Sequence, residues 1–355
     1  MMTVGPAQSD ALPAISWPKS YRLRLKRRRL LLRALRARHG LDPIQNRTGA
    51  IRSGAVLAFT VLRNEALRLP YFLEYYRALG VDHFLMVDNG SDDGSDALLA
   101  AQPDVSLWRT DASYRSSRFG MDWLGWLLMR YGHGHWCLTV DTDELLIYSG
   151  SPAHGLRDLT GWLDAHGRTG FGALMLEPYP QGPLGSHSSQ PGQDPAEVLC
   201  WFDGGPYRSK RQAPRGNLWT QGGVRERVFF ADNPRQSPTL NKIPLIRWNR
   251  RWAYTNSTHA LLPRHLNLIY DGPGGETPSG VLLHTKFLPD IVSRSATEKQ
   301  RRQHFHTPDA FGGYYDQLEA GPDLWNATSL RYGGGRQLQE LGLMSRIDWS
   351  AKGTT

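Results

Sequence analysis

The sequence predicts an α/β fold, in which a nucleotide-binding, mostly parallel sheet is flanked by helices and followed by a helical C-terminal extension. Three observations carry that expectation. From residue 55 to residue 148, β-prone apolar runs alternate with segments of helical period, the pattern of right-handed βαβ units. Several runs stop on acidic or amide residues, as at Asn64 and Glu65, at Asp88, and at Asp141, Asp143 and Glu144. Open α/β sheets gather ligands at the carboxyl ends of their strands. Finally, a chain of 355 residues has room for one large domain with appendages. Residues 1–50 read as a basic N-terminal extension, 51–288 as the sheet domain and 289–355 as the helical extension.

Residues 1–18 hold several Pro, Ser and Ala and read as disordered. A net charge of +9 is concentrated just beyond them, in Lys19, Arg22, Arg24, Lys26, Arg27, Arg28, Arg29, Arg33, Arg36 and Arg38. Leu23, Leu25, Leu30, Leu31, Leu32 and Leu35 are interleaved with these cations. At helical spacing this is a basic amphipathic segment ending near Gly40. Residues 19–38 therefore suit an anionic membrane surface, at about 1 kcal/mol per basic residue near anionic lipid. A packed helix with a solvated basic face accounts for the pattern equally well. A nucleic-acid arm has no accompanying recognition motif, so no specific nucleic-acid partner is expected. No apolar run reaches the ~18 residues of a membrane span, and no charged-then-apolar leader pattern is present. Cys137 and Cys200 make neither a disulfide framework nor a zinc spacing, which favours a reducing cytoplasm; the membrane-surface reading of residues 19–38 would place the protein at the inner face of the cytoplasmic membrane.

The first strand is read over 55–62, with Arg63, Asn64 and Glu65 directly after it. A helix over 69–79 stops at Gly80. The second strand, 83–87, ends in Asp88, and the DNGSDDGSD turn that follows caps a short helix with Ser95 and Asp96. A third strand at 105–108 leads through a polar loop with Asp111, Tyr114, Arg115 and Arg118 to a helix over 121–131. The chain then enters WCLTVDTDELLIY, residues 136–148. Three carboxylates at the mouth of a buried strand cost free energy unless a cation or hydrogen-bond donors compensate them. They point to a divalent-cation site beside a phosphate-bearing ligand, with turn capping by Asp141 and Asp143 as the plainer alternative. Neither GxGxxG nor GxxxxGK[ST] occurs, which disfavours a dinucleotide-binding dehydrogenase and a P-loop ATPase.

Taken in order, VLRNEA at 61–66, MVDNGSDDGS at 86–95 and VDTDELLIY at 140–148 resemble the family 2 inverting glycosyltransferases of the GT-A fold. The likeness is greatest to a bacterial subgroup with a vDxDEf motif, often associated with polysaccharide synthesis, and it spans roughly residues 53–345. The resemblance implies a GT-A type sheet and a nucleotide-diphospho-sugar donor, UDP- or GDP-linked. It implies a glycan or lipid-linked acceptor. It also implies that Asn64, Glu65 and Asp88 surround the base and ribose, although Asp88 and Asp92 equally suit turn chemistry. Asp143 is implied as a ligand of Mg²⁺ or Mn²⁺, with Asp141 touching the ribose or a water beside the metal. Glu144 reads as the less certain member, one that accepts hydrogen bonds from the structure. A late histidine commonly joins the metal in such enzymes, which raises His284 as a ligand and places Lys286, two positions on, towards phosphate.

The remaining chain supplies candidates of its own. Residues 174–180 read as a strand ending in Glu177, followed by a Pro- and Gly-rich loop expected to wall the acceptor side. A short apolar run at 198–202 ends at Asp203. GGVRERVFF, 222–230, reads as a strand that puts Arg225 and Arg227 on one face, suited to a diphosphate, with Glu226 on the other. Lys242 and Arg247 are further basic candidates of lower priority. Charged and aromatic helical pieces are expected around Glu298 to Arg302 and from Phe311 to Leu318. An inverting transfer needs a general base at the acceptor hydroxyl, and Glu177, then Asp203, then Glu226 are the candidates. The expected function is thus metal-dependent glycosyl transfer in surface polysaccharide synthesis. Its rivals are a sugar-phosphate nucleotidyltransferase, which usually carries a Gly-rich basic loop after the first strand, and a non-catalytic binding module.

Overall fold

The computed structural model describes residues 12–301 and 312–350. A 21-residue helix, α1 (Trp17–Ala37), precedes a short strand, β1 (Asp42–Gln45). Strands and helices then alternate: β2 (Val56–Leu62), α2 (Leu69–Leu79), β3 (His83–Asp88), α3 (Ser95–Ala100), β4 (Val105–Arg109), α4 (Met121–Tyr131) and β5 (Trp136–Thr139). The turn of residues 140–143 leads to β6 (Glu144–Ile147), α5 (Leu156–Ala165) and β7 (Gly170–Leu176). Next come α6 (Pro195–Val198), β8 (Trp201–Phe202), the hairpin β9 (Tyr207–Gln212) and β10 (Asn217–Gly222), and α7 (Gly223–Phe229). The chain closes with β11 (Asn241–Arg247), β12 (Ala253–Tyr254), β13 (Leu261–Leu262), β14 (Ser279–His284), α8 (Ile291–Arg301), α9 (Gly312–Glu319), β15 (Leu330–Arg331) and α10 (Gly335–Glu340).

The α/β architecture matches the expectation. Its centre is a nine-stranded mixed sheet in the order β1-β4-β3-β2-β5-β11-β7-β14-β6. Strands β2, β3, β4, β5, β7 and β14 run in one direction, while β1, β11 and β6 run against them. Every residue of β3 and β7 is buried, as continuous apolar strands covered on both faces must be. Helix α2 ends where expected, at Gly80, whose φ of +102° closes the helix in the left-handed conformation that glycine adopts without strain. Helix α4 buries Trp123, Leu124, Leu127 and Leu128. On α4, Gly125 faces α1, and a β-carbon there would stand 3.2 Å from that of Ala34. The missing side chain lets α1 lie close against α4.

Four elements differ from the sequence reading. The stretch 136–148 is two strands: β5 sits in the middle of the sheet and β6 at its far edge, paired with β14. Residues 222–230 form mainly a helix, α7, so Arg225 and Arg227 do not share a strand face. The polar connection after α1 contains β1, which extends the sheet against β4. The hairpin β9–β10 was not anticipated at all. Of the expected C-terminal helical pieces, Arg302 and Phe311 lie outside the described residues.

The main core lines the sheet, and a second apolar cluster lies under the loops. Tyr179, Leu184, Phe229, Phe287, Ile291 and Leu318 belong to it, so α7, α8, α9 and the loop after β7 are packed together. This smaller core holds α8 against the sheet, where Arg294 becomes part of the site.

Candidate functional site

The chain lays down β2, β3 and β4 outward on one side and then places β5 on the other side of β2. Strand order therefore reverses between β2 and β5, and the crevice beyond their carboxyl ends is where such sheets take ligands. A cavity of about 490 Å³ occupies that position. Leu62, Arg63 and Glu65 enter it from the end of β2, and Asp141 to Glu144 from the end of β5. Residues 236–239 and 256–259 close the opposite side, where the sequence had suggested the loop after β7. That loop is instead tied to the C-terminal region through Pro183, which bridges to Asp323.

Strand register brings the central group together. Antiparallel pairing of β14 with β6 sets His284 opposite Glu144, and Thr285 N–H donates to the Asp143 carbonyl at 2.7 Å. His284 Nε2 thereby lies 3.2 Å from Asp143 Oδ2. Parallel pairing of β7 with β14 matches Leu176 to Leu283, which places Glu177 beside His284. The other ring nitrogen, Nδ1, donates to Glu177 Oε1 at 3.0 Å, and Arg225 Nε sits 2.5 Å from the same oxygen. A continuous relay results: Asp143, His284, Glu177, Arg225.

The charges in the relay sustain one another. Burial alone works against charge on His284, but Asp143 and Glu177 raise its pKa to about 9. Burial likewise opposes a charged Asp143, yet the His284 imidazolium, with Arg68 and Arg294, holds it well below the usual carboxylate range. For Glu177, burial is outweighed by Arg225 and the His284 hydrogen bond, which pull it down to about 2.

A second acid–base pair supports the turn from below. Lys242 reaches up from β11, which lies between β5 and β7, with Nζ 2.7 Å from Glu144 Oε1 and 3.4 Å from Asp141 Oδ2. Glu144 Oε2 accepts from the Asp141 N–H at 3.2 Å. Glu144 is thus a buried brace for the turn, as its reading as a hydrogen-bond acceptor anticipated. Burial disfavours charge on Lys242, but Glu144 and Asp141 keep it protonated above the ordinary lysine range. Asp141 itself remains open, its side chain 52% exposed at the cavity.

Cations stand close to these acids. Glu65 Oε1 holds Arg294 Nη2 at 2.5 Å, while Arg68 makes a bidentate pair with Asp290 at 2.7 and 2.8 Å. Among the described residues Lys286 has neither a hydrogen-bond nor an ion-pair partner, and its ammonium lies 5.7 Å from the centre of the Tyr314 ring. Burial, then the nearby charge of Arg225, lowers its pKa to about 8. Arg63, Asn89 and Tyr114 also line an adjoining recess of about 320 Å³ at the ends of β2, β3 and β4.

Several expected site residues are placed elsewhere. Asp88 is fully buried and accepts from the Ser91 N–H at 3.1 Å, closing its own turn. Asn64, at φ +53°, exchanges two hydrogen bonds with Asp92, at 2.7 and 3.0 Å, and does not line the cavity. Both are engaged in the turn after β3. The general-base candidates are likewise engaged by other side chains. Glu177 is sealed in the relay, Asp203 is held by Arg227 at 2.8 and 3.0 Å and by the Tyr179 hydroxyl, and Glu226 makes a bidentate pair with Arg208, both bonds 2.7 Å. None of the three lines the cavity. Arg227 leaves the site with Asp203, and Arg247 pairs with Asp164 at 2.9 Å. Sequence reasoning missed Arg68, Asp290 and Arg294. It ranked Lys242 too low, although a lysine inside the apolar run LNKIPLIRW was a visible signal.

Asp143 and His284 could hold a divalent cation between them only if it displaced the Nε2 proton of the imidazolium. An Asp143 oxygen and His284 Nε2 face each other, and Glu177 fixes the opposite ring nitrogen, the usual way a protein orients a metal-binding imidazole. Among the described residues no three His, Cys, Asp or Glu side chains form a group that could hold an ion, so ligand oxygens and water would supply the remaining positions. No protein-family model matches the chain, and no curated protein matches it.

Proposed function

We propose that the protein is a metal-dependent glycosyltransferase of GT-A type. It would transfer a sugar from a UDP- or GDP-linked donor to a glycan or lipid-linked acceptor in surface polysaccharide synthesis, with inversion implied by the sequence resemblance. The observation that carries this reading is the pairing of opposites in one cavity. The Asp143–His284 pair, Arg294 and the Lys286 ammonium, which has no ion-pair partner among the described residues, line one crevice at the switch point of the sheet. The diphosphate of a nucleotide sugar would suit such a mixed set of acids and cations.

In this reading the recess lined by Arg63, Asn89 and Tyr114 takes the nucleoside. Asp141 accepts from a ribose hydroxyl or from a water beside Asp143. Asp143 and, once it has lost its Nε2 proton, His284 would hold Mn²⁺ or Mg²⁺, which would supply Lewis-acid stabilisation of the leaving diphosphate. Lys286, Arg294 and Arg225 add fixed positive charge where negative charge develops, in a site partly screened from water. The sugar and acceptor lie towards Trp219, Asn256 and Ser257. Glu177 acts through His284 as a positioning residue, while Asp203 and Glu226, held by Arg227 and Arg208, stand outside the cavity lining.

A thermal-shift panel of nucleotide sugars, with and without Mn²⁺, tests the reading. A metal-dependent rise in melting temperature with one base class, followed by sugar transfer to a glycan acceptor, is expected. Stabilisation by a nucleoside triphosphate and sugar phosphate, with nucleotide sugar as the product, would replace it with nucleotidyl transfer. No response to any nucleotide sugar would remove it.

A further inference from the structure

The basic helix α1 plays no part in the cavity chemistry, yet its surface is unlike the rest of the molecule. Among the described residues the exposed large hydrophobic side chains are Trp17, Tyr21, Leu25, Leu32 and Leu35, all on α1, together with Ile44 nearby. At 100° per residue, those five fall within a sector of about 80° on one side of the helix. Leu30 and Ala34, on the opposite side, are buried against the protein. The outward stripe is therefore not a consequence of packing. Trp17 is 76% exposed and stacks on Tyr21 with ring centres 5.5 Å apart, leaving an aromatic pair at one end of the helix.

Charge surrounds this stripe. Arg22, Arg24, Lys26, Arg28, Arg29 and Arg36 are exposed, and the helix contains no Asp or Glu. Among the described residues the one ion pair made by α1 joins Arg33 to Asp122. Beside the stripe, a groove of about 440 Å³ is lined by Tyr21, Arg24, Leu25, Arg27, Arg28 and Arg264. Four guanidinium groups at such a groove suit a phosphate, and the adjoining Tyr21 and Leu25 suit an acyl boundary. Among the described residues no helix is long and apolar enough to cross a membrane.

We propose that α1 is an interfacial helix that seats the protein on an anionic phospholipid bilayer, with a lipid phosphate in the Arg24–Arg27–Arg28–Arg264 groove. Basic side chains bracketing an apolar and aromatic stripe have the chemistry of a helix lying in the plane of the headgroups. The helix also packs on α4, β12 and β13. Phe119, directly before α4, and the turn between β12 and β13 line the cavity, so docking through α1 would fix the cavity relative to the bilayer. The proposal stands whether or not the cavity transfers sugar.

Flotation of the full chain with vesicles of equimolar phosphatidylcholine and phosphatidylglycerol, against phosphatidylcholine alone, tests it. Wild type is expected to float with the anionic vesicles only. Replacing Trp17, Leu25 and Leu32 with Ser leaves the charge unchanged, and should reduce partitioning by about tenfold or more. Replacing Arg24, Arg27 and Arg28 with Gln keeps the apolar stripe and should reduce it comparably, while Arg336→Gln should not. Because the apolar targets are exposed, melting temperatures should stay at the wild-type value. Absence of flotation overturns the proposal. So does flotation that the Ser substitutions leave intact, which would mark adsorption by charge alone. A concentration-dependent dimer abolished by the same Ser substitutions would also overturn it, since a second copy would then be what covers the stripe.

Discussion

The two strands that flank β2 in the sheet, β3 and β5, both end in acidic runs, and their carboxylates meet different fates. After β3, Asp88, Asp92 and Asp93 are satisfied locally or by the adjoining β2 loop. Asp88 takes Ser91, Asp92 takes Asn64, and Asp93 takes the N–H groups of Ala66 and Ser95 at 2.9 and 3.0 Å. After β5, the partners come from distant strands: Lys242 on β11 for Asp141 and Glu144, and His284 on β14 for Asp143. The first run uses its acceptors to build a turn. In the second, buried cations balance the carboxylates while Asp141 stays open to the cavity. An acidic strand end is therefore informative about function through where its acceptors are satisfied, more than through how many it carries.

Exchanging single atoms at the two ends should separate them most sharply. Asp143→Asn removes the charge opposite His284 and is expected to lower metal-dependent turnover of the nucleotide sugar by about a thousandfold. The fold should persist, at a melting temperature lowered by loss of the buried counter-charge to His284. Asp92→Asn should leave turnover within about a factor of two, because its partner Asn64 lies outside the cavity. Equal kinetic losses in the two variants would erase the distinction.

Stability should separate them too. Lys242→Met strands the buried Glu144 carboxylate, and breaking a buried pair from one side costs about 3–5 kcal/mol. Asp93→Ala, with hydrogen bonds that water can replace in part, should cost about 1 kcal/mol in denaturant melts. Burial raises the Asp93 pKa, but the Ser95 hydroxyl and backbone N–H groups outweigh it and leave the pKa lowered. Its contribution is therefore present above the unfolded carboxylate value and is lost as pH falls through the folded one. Lys286→Ala, which breaks no ion pair among the described residues, should weaken nucleoside-diphosphate binding about tenfold by calorimetry, with little change in melting.

The sequence made the near half of this arrangement legible. Buried parallel strands such as β2 and β3 are continuous apolar runs, and their strand-end residues stand out against them. His284 and Lys286 were visible for the same reason, at the end of β14. Less could be read where partners depend on sheet order. Nothing in the local sequence says that β11 inserts between β5 and β7, which is what puts Lys242 under Asp141. Nor does it say that β7 pairs in parallel with β14, which turns Glu177 from a free base into the support of His284. Helix α7 was misread because VRERVFF satisfies both alternation and helical period. Its buried Arg225 also breaks the apolar pattern that would have decided between them. Strand β1 is exposed throughout, so no apolar signal marks it.

The smallest predicted effect probes the cavity wall through His259. Its ring is buried, Nδ1 donates to the Asn241 carbonyl at 2.5 Å, and burial followed by the charge of Lys242, Arg225 and His284 lowers its pKa to about 3. The unfolded chain carries an ordinary imidazole near 6.5, so below that value it binds a proton the folded protein refuses. The associated stability is complete above pH 6.5 and declines as pH falls towards 3. His83, also lowered by burial, contributes in the same direction but is common to wild type and variant. Between pH 6.5 and 5 the carboxylates with lowered values remain ionised, so the difference between the two proteins isolates His259. His259→Asn keeps a donor for Asn241 and cannot titrate, and it should flatten the fall in melting temperature across that interval. A variant that falls as steeply as wild type would mean that burial and the neighbouring cations do not hold His259 neutral. The positive charge lining the cavity would then be less concentrated than the comparison of the two strand ends requires.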